Sequence, residues 1–163
     1  MKVDFILDRF ERSPKAKLFC LVCGLQYERL YDEEIIFLHN MTSPLFRTFT
    51  DAKIAWAGPW LIDVTNNENL INKLAVLEMS APSVSWLISD TPIDNLAIHL
   101  ASLMNVTLPS GKNALFRFYD PRVMKNIPTL LDEEQMKIAM KPIIEWYYLS
   151  NGYYHPFHGG LLP

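Results

Sequence analysis

With 163 residues, half of them hydrophobic and 20% charged, the chain has the makeup of an ordinary globular protein able to bury one substantial core. A net charge of -3 argues against the strongly basic surface that nucleic-acid binding usually needs, and no apolar run reaches membrane-spanning length. The opening MKVDFILDRFERS mixes acids and bases through a short apolar stretch, unlike a signal peptide, and there are only two cysteines, so a reduced cytoplasmic setting is expected.

In chain order, Val3, Ile6, Leu7 and Phe10 recur at helical spacing and predict a short amphipathic helix over 2–12, ended by Ser13-Pro14. KLFCLVC (17–23) is continuously apolar after its lysine, as expected for a strand buried on both faces, and Gly24 closes it. From Tyr27, the apolar positions Leu30, Tyr31, Ile35 and Leu38 predict a helix to about Asn40. In 41–57, Ser43-Pro44 with Leu45, Phe46 and Phe49 suggests a packed loop or short helix. Gly58-Pro59 precedes a second strand, WLIDV, in which Trp60, Ile62 and Val64 share one face. Thr65 and Glu68 have the spacing of a capping box, opening a helix with Leu70, Ile71, Leu74 and Leu77 on its buried side.

After Pro82, the alternation of Val84, Trp86 and Ile88 predicts a third strand. Thr91-Pro92 with Asp94 starts the next helix, whose apolar stripe is Ile93, Leu96, Ala97, Leu100, Leu103 and Met104. The turn Pro109-Ser110-Gly111 leads into a fourth strand at 113–119, where Ala114, Phe116 and Phe118 alternate with Leu115, Arg117 and Tyr119. Asp120 is a good N-cap and Pro121 suits the first helical position, predicting a short helix that ends near Pro128. A second capping box, Asp132 with Gln135, has Leu131 and Met136 placed as a hydrophobic staple, and Pro142 interrupts its helix. Ile143 to Leu149 reads as a strand, Asn151-Gly152 as a hairpin turn, Tyr153-Tyr154 as the return, and the final GGLLP as a loose tail. The alternation of strands and helices predicts one α/β domain over 1–163. Its expected core is a mixed, largely parallel sheet of about four to six strands with flanking helices and a C-terminal aromatic hairpin.

Two arginines require an explanation. Arg117 shares a strand face with Leu115 and Tyr119; if helices cover that face it needs a carboxylate or carbonyl partner, since an unpaired buried charge costs several kcal/mol, and Asp63 is a candidate if the two strands are neighbours. Arg122 falls in a helix's first turn, the unfavourable end of the dipole for a cation, so Asp120, a carboxylate from another element or a partner must hold it. Arg117, Tyr119, Asp120 and Arg122 are therefore read as a fold-critical hub, with direct contact to a partner as the competing role for the two arginines.

Catalytic constellations are harder to assemble. Cys20-x-x-Cys23 and His155-x-x-His158 invite a zinc reading, but three residues along a strand place the cysteines on opposite faces, so buried free thiols are preferred. The serines lie in no nucleophile elbow, and no glycine-rich phosphate loop occurs. Asp51, Asp63, Asp90, Asp94 and Asp120 could supply paired carboxylates, while His39 and His99 sit on helix flanks. A small metal-dependent or hydrolytic enzyme using such Asp and His residues is the competing function, with no coherent constellation behind it. Four Trp, seven Tyr and nine Phe lean towards binding. Trp60, Trp146, Tyr148, Tyr153 and Tyr154 are the candidate partner-facing aromatics.

The string ALFRFYDPRV, set between a Pro-x-Gly turn and an LLDEEQ cap, resembles a signature of the type VI secretion effector-adaptor family, the Tap or Tec chaperones. LFCLVCGLQ, AGPWLIDV, SWLIS and IIEWYYLSNGYY resemble its other landmarks in the same order, so the resemblance covers residues 16–154. It implies a non-enzymatic cytoplasmic adaptor without cofactor, neither nucleic-acid-bound nor membrane-bound. Its expected partners are a cognate secreted effector, often gripped by the effector's N-terminal region, and the valine–glycine repeat spike protein onto which the effector is loaded. One departure is Cys23, which stands where the family often has an acid just before the glycine.

Overall fold

The structure, a computed structural model, describes residues 2–46 and 52–159. The four long apolar runs become strands, and their neighbours in the sheet decide the fold. In chain order the elements are α1 (Asp4–Glu11), β1 (Lys17–Cys23), α2 (Gly24–Tyr31), β2 (Thr42–Pro44), a 3-10 turn (Ala52–Ala57), β3 (Pro59–Asp63) and α3 (Glu68–Ser80). They continue with β4 (Val84–Ser89), α4 (Ile93–Ser102), β5 (Asn105–Thr107), β6 (Asn113–Leu115), α5 (Pro121–Met124), α6 (Ile127–Leu130), α7 (Glu133–Met140), β7 (Glu145–Ser150) and β8 (Tyr153–Pro156). Six strands form the main sheet in the order β2-β3-β1-β4-β7-β8.

Every neighbouring pair in that sheet is antiparallel, which corrects the expectation of a largely parallel one. The α/β class itself holds. The physical reason lies in β1. The unit β3-α3-β4 is a crossover whose two strands do point the same way, as strand–helix–strand spacing implies. β1 lies between them and runs against both, with Cys20 opposite Ile62 on one side and Trp86 on the other.

Alternation along each strand feeds two cores. Leu18, Cys20 and Val22 of β1 join Trp60 and Ile62 of β3 and Val84, Trp86 and Ile88 of β4 on one face. Val3 and Ile6 at α1 and Ile71, Leu74 and Leu77 of α3 cover them. On the other face Phe19, Leu21, Leu61, Leu87 and Trp146 pack beneath α4 and the α5–α7 segment. Such two-sided cover is why these runs are apolar throughout and not half polar.

Several local readings change. The predicted helix 27–40 instead starts at Gly24 and ends at Tyr31, because Asp32 adopts the left-handed conformation with φ 53°. Thr65 does not cap α3: its hydroxyl accepts from the Leu18 amide at 2.9 Å, and Asn67 takes over, accepting from the Leu70 amide at 3.1 Å. The predicted strand 113–119 survives only as β6, which pairs with β5 outside the main sheet. Past Leu115 the chain loops so that Phe118 turns inward, edge-on to Trp146 at 5.8 Å. The helix after Asp120 breaks into α5 and α6, with Pro128 in the first turn of the second. The Asp132–Gln135 capping box forms as predicted, with its two bonds at 2.8 and 2.9 Å. So does the hairpin turn, with φ of 51° at Asn151 and 82° at Gly152. Phe49, Asp51 and most of the GGLLP tail lie outside the described residues.

One acid sits inside a core. Glu78 of α3 is buried, accepting from the Trp86 indole at 2.9 Å and from the Tyr154 hydroxyl at 2.6 Å. Burial pushes its carboxyl up to about 7, against the hydrogen bonds that favour the ionised form. Between the ordinary value of 4.5 and about 7 the folded state therefore binds more protons than the unfolded chain. Stability falls as pH rises through that window, at up to about 1.4 kcal/mol per pH unit. Glu78→Gln should flatten this slope in urea melts taken across the window; an unchanged slope would show that Glu78 titrates as it does in the unfolded chain.

Candidate functional site

Where β1 runs into α2, three chain segments meet. The Cys23 amide donates to the Ser83 carbonyl and the Gly24 amide to the Gly58 carbonyl, both at 2.8 Å. The approach at Gly24 is so close that a Cβ there would lie 1.9 Å from the Trp56 carbonyl oxygen. Gly58 is similarly pressed, its missing Cβ occupied by the Phe46 ring at 2.4 Å. These glycines are required for backbone approach, not for an unusual φ. The junction floors a cleft of about 320 Å³, and the opposite wall is the 115–122 segment, contributing Leu115, Arg117, Tyr119, Asp120 and Arg122.

Asp120 accounts for Arg122. One carboxylate oxygen accepts from the Arg122 amide at 2.9 Å, capping α5. The same carboxylate takes the guanidinium, with Nε at 3.1 and 3.2 Å and Nη2 at 2.7 Å. The cation thus tolerates the helix start because the capping acid is wrapped around it. Burial acts upward on the Asp120 carboxyl, but the bonds to Arg122 and the charges of Arg122 and Arg117 outweigh it and hold it below its usual range. Tyr119, half-buried beside them, has its phenol pushed up by burial.

Arg117 departs from expectation. It is exposed and forms no hydrogen bond or ion pair with any described residue. Asp63, its expected partner, instead lies 3.4 Å from Lys17 and accepts from the Thr65 amide at 3.0 Å. Because strand structure stops at Leu115, Arg117 lies on a loop at the cleft rim and not under helices, so burial does not demand a counter-ion. The four residues of the expected hub lie together along a cleft wall, where Asp120 and Arg122 pair.

The candidate partner-facing aromatics divide. Trp60, Trp146 and Tyr148 are buried at 4%, 1% and 5% exposure, which removes them from any surface. Their strands β3 and β7 lie inside the sheet, where helices cover both faces. Tyr153 is 75% exposed on the β7–β8 hairpin. Tyr154 is half-buried, stacked on Phe5 at 5.7 Å and tied to Glu78. Leu25 and Ile54 line the cleft with Cys23, and their only sequence signal is proximity to the glycines at 24 and 58.

The metal and catalytic candidates do not converge. Cys20 is buried on the α1/α3 face while Cys23 opens into the cleft. His155 lies on β8, three strand positions from β1, roughly 14 Å at the usual spacing. There it stacks on Tyr148 at 5.7 Å and its ring nitrogen bonds the Ser150 carbonyl at 3.1 Å. His99 is bonded to the Ala139 carbonyl at 2.8 Å, and His39 is exposed. Among the described residues no three His, Cys, Asp or Glu side chains gather as a metal site, and no helix is long and apolar enough to cross a membrane.

Fold and site together define an α/β protein with an antiparallel sheet between helical layers and a solvent-open cleft at one end of its central strands. Residues 18–137 match the model of a domain of unknown function, DUF4123, and the chain belongs to that family. No curated protein and no solved structure matches it.

Proposed function

We propose that the protein is a cytoplasmic adaptor that binds a cognate type VI secretion effector and promotes its loading onto the valine–glycine repeat spike protein. The reading starts from the resemblance carried by ALFRFYDPRV and its ordered landmarks, and membership of DUF4123 over residues 18–137 is consistent with it. The observation that carries it structurally is the position of that string. Its polar side chains do not disappear into the core but form the wall of a cleft, with Arg117 unpaired and Leu115 46% exposed. Unpaired charge beside exposed apolar side chains suits a surface that holds another chain. An adaptor in this sense performs no bond chemistry; its work is to bind and release.

Co-purification tests the proposal. The tagged protein should retain the toxin encoded beside it and, through the toxin, the spike protein. A folded sample that retains neither would overturn the adaptor reading.

A further inference from the structure

We propose that the cleft holds an extended segment of the effector through an acidic side chain bound by Arg117, with a neighbouring apolar side chain seated against Leu25, Ile54 and Leu115. This assignment rests on the adaptor reading and names the site and chemistry by which the effector is gripped.

Charge is the first argument. Among the described residues lining the cleft, the charged side chains are Arg117, Asp120 and Arg122, two cations against one anion, an excess of positive charge in a protein whose net charge is -3. Asp120 cannot neutralise both. Its two oxygens are engaged by the Arg122 backbone amide, Nε and Nη2 at 2.7–3.2 Å, which leaves the Arg117 guanidinium without an ion pair. A guanidinium presents a planar fork of donors matched to a carboxylate, and such pairs are among the stronger polar contacts at interfaces.

The walls give the second argument. Ile54 and Leu115 are 53% and 46% exposed, and Leu25 is half-buried beside them. A small inorganic anion would leave these apolar surfaces wet. A peptide that places an apolar side chain next to its acid covers them as well, gaining about 25 cal/mol for each Å² removed from water. The cleft, at about 320 Å³, accommodates a few side chains and not a folded domain, so an extended segment is the fitting form.

The probe is a set of short overlapping peptides spanning the toxin encoded beside the protein, each also made with its Asp and Glu replaced by Asn and Gln. The peptides retained should carry an acid next to an apolar residue, and the amide versions should bind about 10-fold to 100-fold more weakly, the loss expected for a hydrogen bond to a charged group. Arg117→Glu should weaken binding of the full-length toxin similarly, with only a small change in melting temperature because Arg117 is exposed and makes no hydrogen bond or ion pair with any described residue. A Lys-for-acid peptide should recover binding to that variant. Three results overturn the assignment. In the first, the wild type binds toxin and Arg117→Glu binds it equally, so the cleft assignment falls while the adaptor reading stands. In the second, the wild type binds no toxin, and both fall. In the third, the protein dimerises in light scattering and Arg117→Glu makes it monomeric, which would make the cleft a contact between copies.

Discussion

Replacing Trp146 by alanine should cost the fold about 4 kcal/mol, a large part of the stability of a domain this size. The indole is 1% exposed at the centre of one core. It stacks on Phe157 with ring centroids 3.8 Å apart and planes 8° from parallel, and meets the edge of Phe118 at 5.8 Å. Its N–H donates to the buried Ser85 hydroxyl at 3.0 Å. Truncation therefore leaves a cavity, a Phe157 ring stripped of its stacking partner, and a serine that has lost its donor. Urea denaturation followed by circular dichroism measures the loss. Trp146→Phe should lose less, about 1 to 2 kcal/mol, keeping part of the stack while orphaning Ser85. A Trp146→Ala protein that melts like the wild type would contradict this packing.

Gly24→Ala should cost about 3 kcal/mol, much more than alanine for glycine costs where space is available. The added Cβ would lie 1.9 Å from the Trp56 carbonyl oxygen and 3.0 Å from that of Gly58. Both obstacles are backbone, so no side-chain rotation relieves them; the 3-10 turn or α2 has to move. Either movement pulls on the Gly24–Gly58 hydrogen bond and on Leu25 and Ile54, which line the cleft. Melting temperature should fall and, on the proposed adaptor reading, toxin binding with it. Gly111→Ala is the control: nothing lies within 4 Å of its Cβ position, but its φ is 83°, so only the left-handed backbone penalty of about 1 kcal/mol applies and binding should be unaffected. Equal losses at the two glycines would mean that the approach of Trp56 to Gly24 is not a tight one in solution.

How far the sequence could be read depended on element length. β1, β3, β4 and β7 were visible because each is an apolar run of five to seven residues, long enough to show alternation or continuous burial. β2, β5 and β6 have three residues each, too few to leave a pattern, so the loop 41–57 and the true partner of the 113–115 segment were illegible. The overlong helix from Tyr27 shows the opposite failure. Ile35 and Leu38 keep the right spacing, yet Ile35 is buried from a loop and Leu38 is 42% exposed, so apolar periodicity persisted where the backbone had already turned at Asp32. The candidate site was legible in half its parts. Asp120 as cap and as Arg122's partner followed from spacing, whereas the cleft, Leu25 and Ile54 did not.

Sequence alone determined what neighbouring residues enforce on one another: the longer strands β1, β3, β4 and β7, the Asp120 and Asp132 caps, and the Asn151-Gly152 turn. These rest on hydrogen bonds and dihedral preferences acting within a few residues. Tertiary structure decided the rest. It placed β1 between β3 and β4, and so made the sheet antiparallel. It buried Trp60, Trp146 and Tyr148, and it left Arg117 at a rim, far from the acid expected to meet it. Alternation tells which residues share a face but not what covers that face or which strand lies beside it. Those depend on contacts between segments distant in sequence, and the cleft exists only because three such segments close on Gly24.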